Sequence, residues 1–139
     1  MGEVRIKNRS IMKINVAKYI YSALSAITGL TVYPVIADFE TATPTTPFCV
    51  FQRTSMNPLY TKSLYTQEVE HSYSITVADN EYTNTLAMAQ QVIDTLMALT
   101  SKTNTDFRFG QVTVNDLSED YVDGIFIQTI SITINTIEL

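Results

Sequence analysis

The residue types that most often carry out chemistry in proteins are scarce in this chain. It has one histidine, His71, and one cysteine, Cys49, among 139 residues. His71 falls on the apolar side of an alternating stretch, where a hydrogen-bonded structural histidine is more usual than a general base. Cys49 lies within the apolar sequence FCVF, which favours a buried thiol over a nucleophile. A single histidine far from a single cysteine also does not match the clustered ligands of a zinc site.

An acidic run near the C-terminal end is the other candidate for a site. Carboxylates are ligands that calcium prefers, and the run contains Asp116, Glu119, Asp120 and Asp123. Their spacing does not match the helix-loop-helix calcium motif, and a solvated acidic hairpin tip is the simpler interpretation. The four glycines are too scattered to form a phosphate-binding loop. We therefore predict no catalytic, cofactor-binding or metal-binding residues, and a protein that is not an enzyme.

Composition indicates one folded domain spanning residues 1–139. The chain is 45% hydrophobic and 17% charged, which is enough apolar material for a core. No window approaches the run of about 18 apolar residues that a membrane span needs, and the N-terminal residues lack the apolar core of a signal peptide. We therefore expect synthesis in the cytoplasm and no membrane partner.

Charge is unevenly distributed along the chain. The net charge of −5 argues against tight binding to nucleic-acid phosphates. The local basic excess is at the N-terminus, in Arg5, Lys7, Arg9, Lys13 and Lys18. Residues 1–9 are predicted to be a flexible basic arm, which either contacts an acidic partner or is a solvated tail.

Two segments have the spacing of amphipathic helices. The first covers residues 10–28, Gly29 fits the position just past its end, and its apolar stripe is Val16, Ile20, Ala23, Leu24 and Ile27. The second is capped by Asp79 or Asn80 and runs to about Thr100. Its apolar stripe is Tyr82, Leu86, Ala89, Ile93, Leu96 and Met97.

Five segments read as strands, over residues 30–33, 48–56, 68–77, 107–117 and 123–137. The third alternates most regularly, with the apolar side formed by Val69, His71, Tyr73, Ile75 and Val77. Asn57-Pro58 is a turn signal, so residues 57–66 are predicted to be an extended loop or arm. The acidic sequence LSEDYVDG is predicted to link the last two strands as a hairpin.

These elements predict an α+β fold in the order α-β-β-β-α-β-β. Hairpin-like connections favour a mainly antiparallel sheet of about four to five strands. The two amphipathic helices are expected to cover one face of that sheet.

Several sequence pieces follow one another in an order typical of a known family. The first helix ends in ALSAITGLTVYPVIAD, and a loop then leads to a strand that begins TPFCVFQRTS. Later, HSYSITVADNEY passes directly into the helix TLAMAQQVIDTLMAL, and NDLSEDYVDGIFIQTISITI forms the closing hairpin. This series, over residues 14–137, resembles the tail-completion or tail-terminator family of long-tailed bacteriophages and prophages. The basic extension before Lys13 is longer than is usual in that family.

The resemblance implies a structural role in the virion. Members of the family form rings, generally hexameric, which sit on the head-proximal end of the tail tube, stop its growth and join it to the head connector. The implied partners are other copies of the chain, the tail tube protein and the connector or neck proteins. DNA would pass through the central hole without specific binding.

A ring of this kind needs two different patches that meet between neighbouring subunits. Sheet edges and the arm at 57–66 are the candidates, and Tyr60, Leu64 and Tyr65 are the predicted interface residues. Two alternatives remain open at this point. One is a head-closure or neck adaptor, or a minor tail subunit; the other is a small ligand-binding or regulatory domain.

Overall fold

The structure is a computed structural model that describes residues 15–35, 46–60 and 66–138. The predicted arm at residues 1–9 and the first part of the predicted first helix lie outside the described residues. Two helices and five strands make up the fold: α1 Val16–Ser25, β1 Thr31–Pro34, β2 Phe48–Tyr60, β3 Thr66–Asp79, α2 Tyr82–Met97, β4 Phe107–Val122 and β5 Ile125–Glu138. The predicted α+β class and element order are confirmed.

The strands form one five-stranded sheet in the order β1-β2-β3-β5-β4. β1 and β2 are parallel, and the three remaining pairs are antiparallel. The alternation predicted in β3 is confirmed, since its apolar side is buried from Val69 to Val77 and its polar side is only partly covered. The middle of the sheet therefore has one dry face and one wetter face.

Both helices pack on the dry face and form the main core with it. From α1, Val16, Ile20 and Leu24 are fully buried, and they join Val92 and Leu96 of α2. The sheet contributes the fully or almost fully buried Ile75, Val77, Ile130, Ile132 and Ile134. Each such side chain contributes about 1.5–3 kcal/mol by leaving water, so this single layer of apolar contacts holds the helices to the sheet.

The helix termini differ from the sequence prediction. α1 ends at Ser25, and Gly29, with φ of 82°, lies in the turn that follows. α2 begins after Glu81, which has extended backbone and no capping side-chain bond. Asp79 is not the cap because it is still part of β3, where its Oδ1 accepts a 2.7 Å bond from the Asn80 N–H.

β2 is longer than predicted, and the turn expected at Asn57-Pro58 is wrong. Asn57 pairs with Glu70 and Pro58 with Val69, so the ladder continues through both residues. Within the described residues, β1 pairs with β2 only as far as Phe51. Proline is tolerated there because a strand with a partner on one side can leave a position without an N–H. Of the predicted arm at 57–66, residues 57–60 and 66 belong to strands, and residues 61–65 lie outside the described residues.

The β4–β5 hairpin is also longer than predicted. The ladder runs to the pair Val122 and Ile125, so most of the sequence expected as a link is strand. The turn consists of Asp123, with φ of 51°, and Gly124, with φ of 82°. Two consecutive positive φ angles match the twist of an antiparallel pair, and Asp-Gly is a preferred sequence for such a turn.

Candidate functional site

The two residues closest to catalytic types are buried in separate places. His71 is fully buried on β3, and its Nε2 lies 3.1 Å from Thr136 Oγ1. Burial, with a smaller effect from Arg53, lowers the pKa of His71 from 6.5 to about 4, so the ring is neutral at pH 7. Cys49 on β2 is fully buried, which raises the pKa of its thiol to about 12. The environment of each residue suits packing and does not favour acid–base or nucleophilic chemistry.

A second polar contact lies beside His71 in the same layer. Arg53 of β2 donates a 3.0 Å bond from Nη2 to the hydroxyl of Tyr73, and its guanidinium lies 5.6 Å from the centre of that ring. Burial raises the pKa of Tyr73, and the positive charge of Arg53 opposes this shift. Tyr73 is almost fully buried, so the contact links the side chains of β2 and β3 on the buried side of the sheet.

The acidic run does not form a cluster. On β4, Glu119 lies opposite Gln128, on the helix side of the sheet, whereas Asp120 lies opposite Ile127, on the other side. Among the described residues, no group of three acidic, histidine or cysteine side chains is placed to hold a metal ion. Glu119 instead accepts a 2.7 Å bond from the Tyr82 hydroxyl and a 3.0 Å bond from Gln128 Nε2. Those bonds lower the pKa of Glu119 and link the start of α2 to the hairpin.

The same end of the molecule carries exposed aromatic and aliphatic side chains. The ring of Phe126 lies 5.5 Å from that of Tyr82 and 4.6 Å from that of Tyr121. Tyr121 is 58% exposed and Leu117 is 43% exposed, both on the helix side of β4. Leu86, also exposed, lies one helical turn after Tyr82. We call this set the tip surface: Leu117, Glu119 and Tyr121 of β4 with Tyr82 and Leu86 of α2.

The sheet face opposite the helices is open over the described residues. Its centre is a lattice of hydroxyl side chains that are only partly covered: Ser72, Ser74, Thr76, Thr129, Ser131 and Thr133. A small apolar cluster lies at one end of it, around Phe48 and Ala78. The centre of this face therefore offers many hydrogen-bonding groups, unlike the buried face.

The two edges of the sheet are unequal. β1 is short, and β4, at the opposite edge, is long. A loop covers the start of β4, because the Phe109 N–H bonds to the Lys102 oxygen and the Ser101 N–H bonds to the Phe109 oxygen, both at 2.8 Å. Two register shifts follow, the second between Val114 and Asp116. From Asp116 to Val122 the ladder is regular, and β5 is its only strand partner among the described residues.

The three interface residues predicted from the sequence lie at the end of a described segment or outside the described residues. Tyr60 is the last residue of β2, and its side chain is not described. Leu64 and Tyr65 lie outside the described residues. The tip surface was not predicted from the sequence, although the alternation of Leu117, Glu119 and Tyr121 with Asp116, Ser118 and Asp120 could have indicated a strand there.

In the described part of the chain, neither helix has the length and apolar character needed to cross a bilayer. No protein-family model matches the sequence, and no curated protein matches it either. Among solved structures, the fold is similar to a chain from the virion of a native gene transfer agent particle, with a TM-score of 0.60 and 13% sequence identity. The match covers 85% of this chain and 91% of that chain, so the similarity extends over nearly the whole fold.

Proposed function

We propose that this protein is a virion structural subunit, and specifically a tail terminator: a ring that caps the tail tube, ends its growth and joins it to the head connector. The observation that carries the proposal is the similarity of nearly the whole fold to a chain of a virion particle. The sequence resemblance to the tail-terminator family supports the more specific role. Burial disfavours the charged forms of His71 and Cys49, which makes both residues poorly suited to catalysis. This agrees with a protein that works by assembly.

The unequal edges of the sheet suit a closed ring. A ring requires that two different patches of each subunit meet, whereas a two-fold dimer pairs one patch with itself. Pairing of β4 with β4 of another copy would bring Asp116 and Asp120 close to the same acidic side chains, which is unfavourable. The exposed β4 edge is therefore better suited to a different, less acidic patch of the neighbouring subunit.

The open sheet face suits the lining of a passage for DNA. It carries four carboxylates among its described residues, Glu68, Glu70, Asp116 and Asp120, against the single cation Arg108. In a narrow lumen these charges would repel phosphate and keep DNA from binding to the wall. In the proposed ring this face is therefore turned toward the hole.

The remaining contacts of the proposed ring are those to its partners. The tail tube protein lies on one side and the connector or neck proteins on the other, and the ring is proposed to be a hexamer. Tyr60, Leu64 and Tyr65 are proposed to contribute to the subunit interface, because tyrosine suits such surfaces by combining an apolar ring with a polar tip.

Deletion of the gene from a particle-producing genome tests the role directly. Without a terminator, electron microscopy should show tails of abnormal length, or tails that are not attached to heads. Restoring the gene in trans should restore joined particles of uniform tail length. Tails of normal length that fail to join would instead indicate a neck adaptor, and normal joined particles would refute a role in the virion tail.

A further inference from the structure

We propose that the tip surface binds an arginine side chain of another virion protein, with the guanidinium bonded to the Glu119 carboxylate. Apolar side chains on either side of that arginine then cover the exposed members of the surface, which are Tyr82, Leu86, Leu117 and Tyr121. That the partner is a virion protein rests on the proposed function, whereas the chemistry of the site is a property of this chain alone.

Exposed apolar side chains are concentrated at this end of the molecule. Among the described residues, eight large apolar side chains are exposed, and four of them belong to the tip surface. They come from two elements, β4 and α2, which the bond between Tyr82 and Glu119 holds together. Grouped apolar side chains, especially tyrosines, are typical of surfaces that contact another protein. The tip surface therefore has the composition of a docking site.

A carboxylate is fixed among these apolar side chains. Glu119 lies between Leu117 and Tyr121 on the helix side of β4, and its Oε1 accepts bonds from Tyr82 and Gln128. Those bonds lower its pKa, so the group is charged at neutral pH. Both bonds end on Oε1, and no described residue donates a hydrogen bond to Oε2. Because Glu119 is exposed, Oε2 can accept a bond from another molecule.

The charges around this carboxylate favour a cationic partner. Glu81, just before α2, and Asp123, in the hairpin turn, add negative charge at the same end. The described residues contain four cations, which are Lys18, Arg53, Lys102 and Arg108. Arg53 bonds to a side chain of β3, and the other three lie at or near the start of β4. Along that strand, Arg108 is roughly 30 Å from Glu119. An apolar and acidic surface is complementary to an apolar and basic one.

Arginine suits the site better than lysine does. Its guanidinium is planar, donates several N–H bonds and stacks on aromatic rings. The ring of Phe126 lies 5.5 Å from that of Tyr82 and 4.6 Å from that of Tyr121, so three rings are grouped beside Glu119. A guanidinium bonded to Oε2 is within reach of these rings and gains a cation–π attraction. Since two bonds already hold Glu119, little of its side-chain freedom is lost on binding.

The proposed contact leaves the open face of the sheet acidic. Glu119 is on the helix side, whereas Asp116 and Asp120 are on the other side of the same strand. A cation bound by Glu119 is therefore separated by the sheet from the carboxylates that are proposed to line the DNA passage. The backbone edge of β4 beyond Asp116 also remains available to a neighbouring copy.

Binding of small peptides to the full-length chain tests the chemistry of the site. The probe is a blocked tripeptide of leucine, arginine and leucine, and its matched control has citrulline, which is similar in shape but uncharged, in place of arginine. Backbone amide NMR shifts should change at residues 117–121 and around Tyr82. The arginine probe should bind about five- to tenfold more tightly than the citrulline probe, as expected from one exposed ion pair and one cation–π contact.

Two variants separate the role of Glu119 from general attraction to an acidic protein. Glu119→Gln should bind both probes equally, because the carboxylate is lost. Asp120→Asn changes the net charge by the same amount one residue further along the strand, on the open face, and should keep most of the preference for arginine. Equal binding of the two probes by the wild type, or an equal loss of preference in the two variants, would overturn the proposal.

Photo-crosslinking in particles identifies the partner. Benzoylphenylalanine in place of Leu117 should give a product with a different virion protein, joined close to an arginine of that protein. The control has the same group in place of Thr113, which is exposed on the open face of β4, and should not give that product. Absence of the product, a dimer of this chain, or a crosslink within one copy would overturn the assignment to another protein.

These outcomes are separate from those of the deletion test. A preference for the arginine probe together with normal joined particles after deletion would support the site and refute the tail role. Equal binding of the two probes together with tails of abnormal length would refute the site and support the tail role.

Discussion

Replacement of His71 by glutamine should reduce the decrease in the free energy of unfolding that the protein shows at acidic pH. His71 is the only histidine of the chain, is fully buried, and lies 3.1 Å through Nε2 from Thr136 Oγ1. Burial lowers its pKa from 6.5 to about 4. Between those values the unfolded chain holds a proton that the folded chain does not, so the free energy of unfolding decreases as the pH falls from about 6.5 to about 4.

The size of this effect follows from the shift. At pH 7.5 His71 is neutral in both states and contributes no pH dependence. At pH 5 the unfolded histidine is mostly protonated while the folded one is not, which lowers the free energy of unfolding by about 2 kcal/mol. The full effect, reached below pH 4, is about 3 kcal/mol. A single domain is typically stable by about 5–15 kcal/mol, so the decrease at pH 5 is measurable.

Urea unfolding, followed by far-ultraviolet circular dichroism at pH 7.5 and 5, measures it. His71→Gln keeps a side chain that can bond to Thr136 but does not titrate, so its free energy of unfolding should decrease by about 2 kcal/mol less than that of the wild type. Carboxylates that titrate in this range contribute equally to both proteins and cancel in the comparison. Equal pH dependence in the two proteins would refute the buried, neutral histidine.

Two further predictions concern the hairpin turn and the thiol. Gly124→Ala should lower the free energy of unfolding by about 1–2 kcal/mol, because the φ of 82° is unfavourable for alanine although nothing lies within 4 Å of the added carbon. The control is Gly110→Ala, which should lower the free energy of unfolding by less because the φ of Gly110 is not positive. Equal losses of the two variants in urea unfolding would contradict the explanation. Cys49 should react with a disulfide reagent at pH 8 about a thousandfold more slowly in the folded protein than in urea, since its pKa is raised to about 12; similar rates would show that the thiol is accessible.

The sequence was sufficient to predict the fold class, and the reason is visible in particular residues. The strict alternation from Val69 to Val77 could arise only from a strand with one buried side, and these residues are buried in the structure. Likewise, Ile20 and Leu24 are buried on α1 as the helical spacing predicts. In both cases the spacing of the apolar residues along the chain matches the side of the element that packing buries.

The predictions failed where tertiary pairing overrides a local signal. Asn57-Pro58 is a turn signal in isolation, but both residues pair with β3, so the strand continues through them. The missing proline N–H is tolerated because the described part of β1 pairs with β2 only as far as Phe51. In the last hairpin, the acidic residues suggested a solvated loop, whereas Asp123 and Gly124 alone make the turn. The Asp-Gly pair was the better signal, because it specifies the backbone angles that a two-residue hairpin requires.

Surfaces were harder to predict than elements for a related reason. The tip surface combines β4 and α2, and the bond from the Tyr82 hydroxyl to Glu119 joins residues that are 37 positions apart in sequence. No local period encodes such a pairing. Only the β4 register shows that Leu117 and Tyr121 share a side with Glu119.

The distribution of polar groups bears on how the protein can act. His71, Cys49 and Tyr73 are buried, and burial opposes the charged form of each. The exposed Glu119 is bound by Tyr82 and Gln128. By contrast, the backbone of β4 beyond Asp116 has strand pairing on one side only within the described residues, and its apolar side chains face water. Pairing of that edge with another strand would be favourable both for its polar backbone groups and for the exposed Leu117 and Tyr121.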